Sequence, residues 1–383
     1  MDSIRKKIID ISSIGIADIL SAGIAGIFWF YIASMVGPKN YGEITYLLSI
    51  ATLASGLALL GSNYTLMVYS AKKIPIQSTL FLLSSVIGFI SAITIFFFFA
   101  DLGLSLVILG YIILALVTAD LLGKKLYKTY SKYVIIQKIL MVILGIGLYY
   151  VMKEPGILLG IGLSYLPLIK EMINRFKENK INFKLLIEKK NFILNNFALN
   201  ITGTLYGSLD KLIIVPLLGF TILGNYSLGL QFYTIISLLP ALAIKYLVAQ
   251  DATGIVNKKL KKIMVLCSVG IALLGSIFAP MIIGEIFPKF ENAEEIIRII
   301  SFGVIPSTIT SAYLFPKFWA NEKNKIILAT SIIVLIIQII GIVLLGPIYG
   351  AKGIAVSFLI SLSIGTGFAI IMDRVYNSSQ KVN

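Results

Sequence analysis

The stretch Val36-Gly37-Pro38-Lys39-Asn40-Tyr41-Gly42-Glu43-Ile44 follows one long apolar run, and Leu218-Gly219-Phe220-Thr221-Ile222-Leu223-Gly224-Asn225-Tyr226 follows another. Gly37 and Gly42 recur as Gly219 and Gly224, at one constant offset of 182 residues. Each stretch reads as a tight hairpin, where glycine permits positive φ or a close backbone approach. Turn, position within the half-chain and flanking apolar pattern all agree. The second half of the chain therefore reads as a repeat of the first.

Working outward from these turns, the apolar runs fall at 8–35, 43–69, 79–100, 102–122, 133–152, 155–173, 192–218, 222–248, 263–287, 296–320, 326–345 and 348–372. Each is near the roughly 20 residues that an α-helix needs to cross a bilayer. Of 383 residues, 58% are apolar and only 13% charged, with a mean hydropathy of +0.94. That leaves too little polar surface for a water-soluble globule, which carries about 25% charged residues. Helices are the expected elements, because lipid satisfies no exposed backbone group and the alternation of a membrane barrel is absent. Arg5-Lys6-Lys7 leads directly into the first run, which reads as an uncleaved span because the apolar core of a signal peptide is shorter.

The basic residues fix the direction. Placing the N-terminus in the cytoplasm puts 25 of the 33 Lys and Arg on that side and five on the other, with Lys138, Lys211 and Lys245 inside spans. The C-terminus is then cytoplasmic too, and the number of spans is even. The one long polar stretch divides the chain into an N-terminal lobe (1–173), a cytoplasmic linker (174–191) and a C-terminal lobe (192–383). The fold class expected is an all-α polytopic membrane protein of about twelve transmembrane helices in two pseudo-symmetric six-helix lobes. Six spans per half is an even number, so the halves lie parallel, a recurrent transporter architecture.

Several function classes drop out. The net charge of +15 comes from short clusters between apolar runs, without the interleaved aromatics of a nucleic-acid surface. One cysteine, Cys267, permits no internal disulfide, and the absence of histidine removes His-based metal sites and Ser-His triads. There is no Gly-x4-Gly-Lys-Ser/Thr loop for ATP. No catalytic or metal-ligating residues are expected, and no cofactor beyond Na+ or H+ as a coupling ion.

Charge deep in a span costs on the order of 2.5–3.5 kcal/mol and marks function. Asp18 lies about 15 Å up the first helix, too far for its short side chain to reach the interface. Its repeat mate is Asn200, and the two are expected to face each other between the lobes. Asp210 and Lys211 sit in the outer half of the seventh span; as helical neighbours about 100° apart they pair poorly, so a cavity role and an interlobe or intrahelical structural ion pair stand as equal readings. Lys211 is placed to meet an anionic substrate. Asn63, Asn195, Asn196, Gln231 and Gln338 read as interhelical hydrogen-bonding groups. Asp10, Lys138 and Lys245 read as snorkelling groups and Asp120 as a cap or surface pair with Lys124. Trp29, Tyr31, Tyr41, Tyr149 and Tyr150 read as an interfacial belt.

The sequence Ile32-Ala33-Ser34-Met35-Val36-Gly37-Pro38-Lys39-Asn40-Tyr41-Gly42 resembles the opening of the polysaccharide-biosynthesis (Wzx-like, O-antigen) flippases. These belong to the multidrug/oligosaccharidyl-lipid/polysaccharide (MOP) exporter superfamily. Leu209-Asp210-Lys211-Leu212-Ile213-Ile214 with Gly224-Asn225-Tyr226, and Pro347-Ile348-Tyr349-Gly350-Ala351-Lys352-Gly353-Ile354-Ala355, resemble the same family in the same order. The resemblance implies a flippase moving a polyprenyl-diphosphate-linked glycan to the outer leaflet of the cell membrane by alternating access, coupled to a cation. It also implies cationic cavity residues, of which this chain shows chiefly Lys211. Implied partners are the lipid-linked glycan, membrane lipid and a glycan polymerase or glycosyltransferases. The rivals are a MATE-type drug/cation antiporter, with Asp18 as the coupling carboxylate, and a non-transporting membrane assembly protein.

Overall fold

The computed structural model of the chain describes residues 2–238, 247, 257–321 and 323–382, and side chains from Gly15 to Val375 within them, Lys258 excepted. The end of the eighth expected span, with Pro240 and Lys245, and the side chain of Asp10 lie outside the described residues. Regular structure among the described residues is helical throughout. In chain order the helices are α1 (Asp2–Leu59), α2 (Ser62–Ala71), α3 (Gln77–Phe99), α4 (Leu102–Gly123), α5 (Tyr127–Met152), α6 (Glu154–Leu163), α7 (Leu166–Phe176) and α8 (Phe183–Glu188). They continue with α9 (Lys190–Ile236), α10 (Lys258–Ile286), α11 (Ala293–Ser301), α12 (Val304–Thr308), a π-helical turn (Ile309–Leu314), α13 (Phe315–Ala320) and α14 (Asn324–Val382).

Nine helical segments among the described residues are long and apolar enough to cross a membrane. Three of them are interrupted at a glycine outside helical dihedrals: α1 at Gly37 (φ 76°), α9 at Gly219 (φ 82°) and α14 at Gly350 (φ 58°). Counting each side of these breaks as one crossing, the twelve expected spans are all represented. The chain reverses at Gly350. Beyond it, Gly353 backs onto the Leu345 carbonyl, Gly341 onto Ser357 and Gly365 onto Val334, the pairing of an antiparallel helical hairpin. The connection between the third and fourth spans is equally short. Ala100 takes the left-handed conformation (φ 51°), and the Asp101 carboxylate caps α4 by accepting from the Leu104 N–H at 2.8 Å.

The described chain forms two compact units, Met1–Ile32 with Leu47–Ser208, and Ala33–Tyr46 with Leu209–Asn383. Their boundaries differ from a division at the linker: each unit takes a segment from the other half of the sequence. The reason lies in the glycines and amides of those segments. In the first unit, the end of α1 and the start of α2 approach the N-terminal half of α9 closely, since a Cβ on Gly61 would fall on the Phe197 N–H and one on Gly56 would meet Thr204 at 2.7 Å. Asn63, Asn196 and Asn200 tie the same surfaces together. In the second unit the two quoted turns meet. A Cβ on Gly42 would fall on the Phe220 carbonyl, and one on Gly224 would fall on the Pro38 carbonyl. Pro38 and Phe220 are themselves 182 residues apart, so the contact is reciprocal. Ser227 donates to the Thr45 hydroxyl at 3.1 Å, again between repeat mates. The internal duplication is therefore visible as a local two-fold within this unit.

The core of the second unit is Ile214, Leu223, Tyr226, Ile296, Ile300, Ile342, Ile354 and Ala355. Tyr41 is 2% exposed and lies edge-on to Phe290, with ring centroids 6.0 Å apart. This corrects its assignment to an interfacial belt. Close glycine packing draws the turn inward and buries the ring. Tyr31 and Tyr150 do sit at an exposed position, their hydroxyls 3.1 Å apart.

Candidate functional site

The embedded polar groups of the first unit fall into two sets. Asp18, on the first span, accepts a hydrogen bond from the Tyr130 hydroxyl of α5 at 2.8 Å. Asn63 donates to the Asn200 side-chain carbonyl at 3.2 Å, and Asn200 donates to the Gly56 carbonyl at 3.0 Å. Asn196 donates to the Thr65 hydroxyl at 3.1 Å. Thus Asn63 and Asn200 come together, whereas the repeat mates Asp18 and Asn200 take different partners. The Asn63 carbonyl oxygen is buried without a hydrogen-bond partner, an acceptor left over in an otherwise satisfied set. Lys138, on α5, is partly buried and takes part in no ion pair among the described residues.

In the second unit, Asp210 is 5% exposed. It accepts from the Tyr226 hydroxyl at 3.0 Å and lies 3.5 Å from the Gln338 amide, which also donates to Tyr226 at 3.0 Å. Lys211 brings its ammonium to 3.3 Å from the Asp210 carboxylate. The intrahelical ion pair left open by the sequence is therefore present, although adjacent helical positions were expected to pair poorly. The lysine stem is long and flexible enough to fold back across the 100° between adjacent helical positions. A buried carboxylate is strongly stabilised by such a partner. Gln338 fits its interhelical role, and Tyr226 was legible only as part of the turn.

Two charged positions carry more than the sequence suggested. Asp120 is fully buried: its expected pair with Lys124 forms, but inside the protein rather than at the surface. It accepts from the Ser70 hydroxyl at 2.5 Å, pairs with Lys124 at 2.8 Å and lies 3.8 Å from Arg175. Arg175 in turn pairs with Glu171 and Glu178. The burial arises because Gly123 lets α4 close onto Met67 and Ser70 of α2. Lys261, within a basic cluster that reads as a loop, is 2% exposed. Its ammonium stands 5.4 Å from the Tyr313 ring centroid, beside the π-helical turn Ile309–Leu314. Such turns are frequent at functional sites. No spacing in the sequence distinguishes Lys261 from Lys258, Lys259 and Lys262. Among the described residues, no group of three or more Asp, Glu or Cys is placed to hold a metal ion.

The sequence matches no family model and no curated protein. Solved structures do match over almost the full length. The lipid II flippase MurJ in an inward closed conformation superposes with a TM-score of 0.73 at 16% identity, over 94% of this chain and 87% of that one. An inward-facing multidrug-resistance MATE transporter of the MOP superfamily gives 0.70 at 13% identity, over 95% of each chain. An outward-facing MATE transporter gives 0.65 at 12% identity, over 98% of this chain and 96% of that one. The fold is that of the MOP-superfamily transporters. At such identities the likeness establishes the MOP-type architecture alone. Together with the nine apolar helical segments it makes the chain a multi-pass membrane protein.

Proposed function

We propose that this protein is a lipid-linked oligosaccharide flippase of the cell membrane, moving a polyprenyl-diphosphate-linked glycan from the cytoplasmic to the outer leaflet by alternating access. The observation that carries the reading is the superposition on a lipid II flippase across 94% of the chain. The three stretches that resemble polysaccharide flippases support it. The chemistry is consistent: a sugar head group cannot cross hydrocarbon unaided, because each unpaired polar group costs several kcal/mol there. A hydrated path through the protein shields the head while the lipid tail stays in the bilayer. Lys211 is the cation assigned to the anionic diphosphate, which would compete with Asp210 for its ammonium. Coupling to Na+ or H+ is assigned to Asp18, whose carboxylate is held by Tyr130. A glycan polymerase or glycosyltransferases are the proposed partners.

A MATE-type drug/cation antiporter is the second reading, favoured by the equal coverage of the MATE structures and by the same embedded Asp18. One comparison separates the two. Deleting the gene should accumulate lipid-linked glycan on the cytoplasmic leaflet without raising sensitivity to cationic drugs. The opposite pattern refutes the flippase. Asp18→Asn and Lys211→Ala, at normal expression, should each reduce transport by at least tenfold; full activity in both would remove these site assignments.

A further inference from the structure

At the cytoplasmic ends of the first unit lies a recess of about 470 Å³ that the transport reading does not use. It is bounded by the turn after α2, the end of α4 and the chain that follows α7. Its walls are fixed. Gly123 abuts Met67 and Ser70, Ser78 donates to the Phe176 carbonyl at 2.7 Å, and the Asn182 N–H donates to Thr79 at 2.8 Å.

The charges around the recess divide into two kinds. Lys124 is committed to Asp120 and Glu178, and Arg175 to Glu171 and Glu178. The Glu178 Oε2 that pairs with Lys124 also accepts from the Gln77 amide at 2.9 Å. These three carboxylates and two cations leave one negative charge. Lys73 and Lys125 also line the recess, each from a different turn, and neither enters an ion pair among the described residues. Both hold left-handed backbone, φ 56° and φ 60°, a conformation unfavourable for a non-glycine residue. With them the recess carries one net positive charge. Ala71 and Pro75 give it an apolar wall.

We infer that this recess is a phosphate-binding site, taking the phosphodiester of an anionic phospholipid head group from the cytoplasmic leaflet. Two unpaired ammonium groups at the membrane surface suit a phosphate as point charges. A single negative charge neutralises the recess, and the apolar wall suits the glycerol side of a head group. The general excess of cytoplasmic lysines attracts anionic lipid anywhere on that face. The inference is narrower: these two lysines act together at one place.

The test uses the purified full-length protein. Binding is followed by thermal unfolding and by titration with phosphatidylglycerol or phosphatidylcholine in mixed micelles, and separately with inorganic phosphate. Phosphatidylglycerol should bind in preference to phosphatidylcholine. K73Q/K125Q should weaken that binding by about tenfold or more, and K73R/K125R should restore it. K128Q/K184Q, which removes equal charge outside the recess, should leave it unchanged. Equal weakening by K128Q/K184Q, or no preference for phosphatidylglycerol in the native protein, overturns the proposal. Displacement of the lipid by millimolar inorganic phosphate supports the phosphate site and assigns it to the soluble ion instead. If K73Q/K125Q elutes as aggregate, K125Q alone should still show about a threefold loss.

Discussion

Gly42 and Gly224 illustrate how much one hydrogen in place of a methyl decides. Each faces the backbone carbonyl of the other turn with no room for a Cβ. Gly42→Ala and Gly224→Ala should each destabilise the protein by about 1–3 kcal/mol, the usual cost of overpacking. Gly219→Ala should cost a similar amount for another reason. Nothing lies within 4 Å of its Cβ position, but its φ of 82° with ψ 173° is accessible essentially only to glycine. Gly23→Ala, in open space within a helix, should be neutral or slightly stabilising. Thermal unfolding of the purified variants ranks all four. The buried Asp210 offers a second comparison. Tyr226→Phe removes one hydrogen bond to a carboxylate and should cost about 1.5–3 kcal/mol. Asp210→Ala takes the acceptor from the Tyr226 hydroxyl and the carboxylate from the Lys211 ammonium, and the same measurement should show a larger loss. The sequence marked Asp210 and Lys211 as embedded and left open whether they pair. The spacing of neighbours on a helix does not tell which way a long side chain folds.

At the scale of elements, the amides of α2 and α9 show what was legible. Asn63, Asn196 and Asn200 are conspicuous in apolar runs, and the interhelical hydrogen bonds expected of Asn63 and Asn196 are present, with Asn200, expected opposite Asp18, as the partner of Asn63. Their particular pairing was not readable, because two spans separated by more than a hundred residues carry no mark of their register. A double-mutant cycle of Asn63→Ala and Asn200→Ala, read by unfolding in detergent, should give a coupling of about 0.6 kcal/mol and at most about 1.7. A coupling of zero would mean that each amide is satisfied elsewhere. The exchange of segments between the compact units has the same origin. Residues 33–46 and 192–208 follow the close glycine and amide contacts rather than the position of the linker.

For the whole molecule, topology is the property most directly open to test. In a Cys267→Ser background, cysteines replacing Lys39, Lys153 and Lys352 should react with a membrane-impermeant maleimide added outside. Cysteines replacing Lys128 and Lys184 should react only after permeabilisation. Labelling of the second set in intact cells would invert the orientation. The sequence by itself determined the class and the duplication, and it set the expected number of crossings and direction through the membrane. Each of these is readable segment by segment: lipid demands an apolar run with its backbone bonded internally, and the basic residues flank each run locally. Tertiary structure alone decided which polar groups meet. Asp120 is buried because α2 closes over it, Tyr41 because two turns interlock, and Asp210 is held by Gln338 from 128 residues away. Such contacts depend on the approach of distant segments, and the apolar pattern that places each segment in the membrane leaves that approach open.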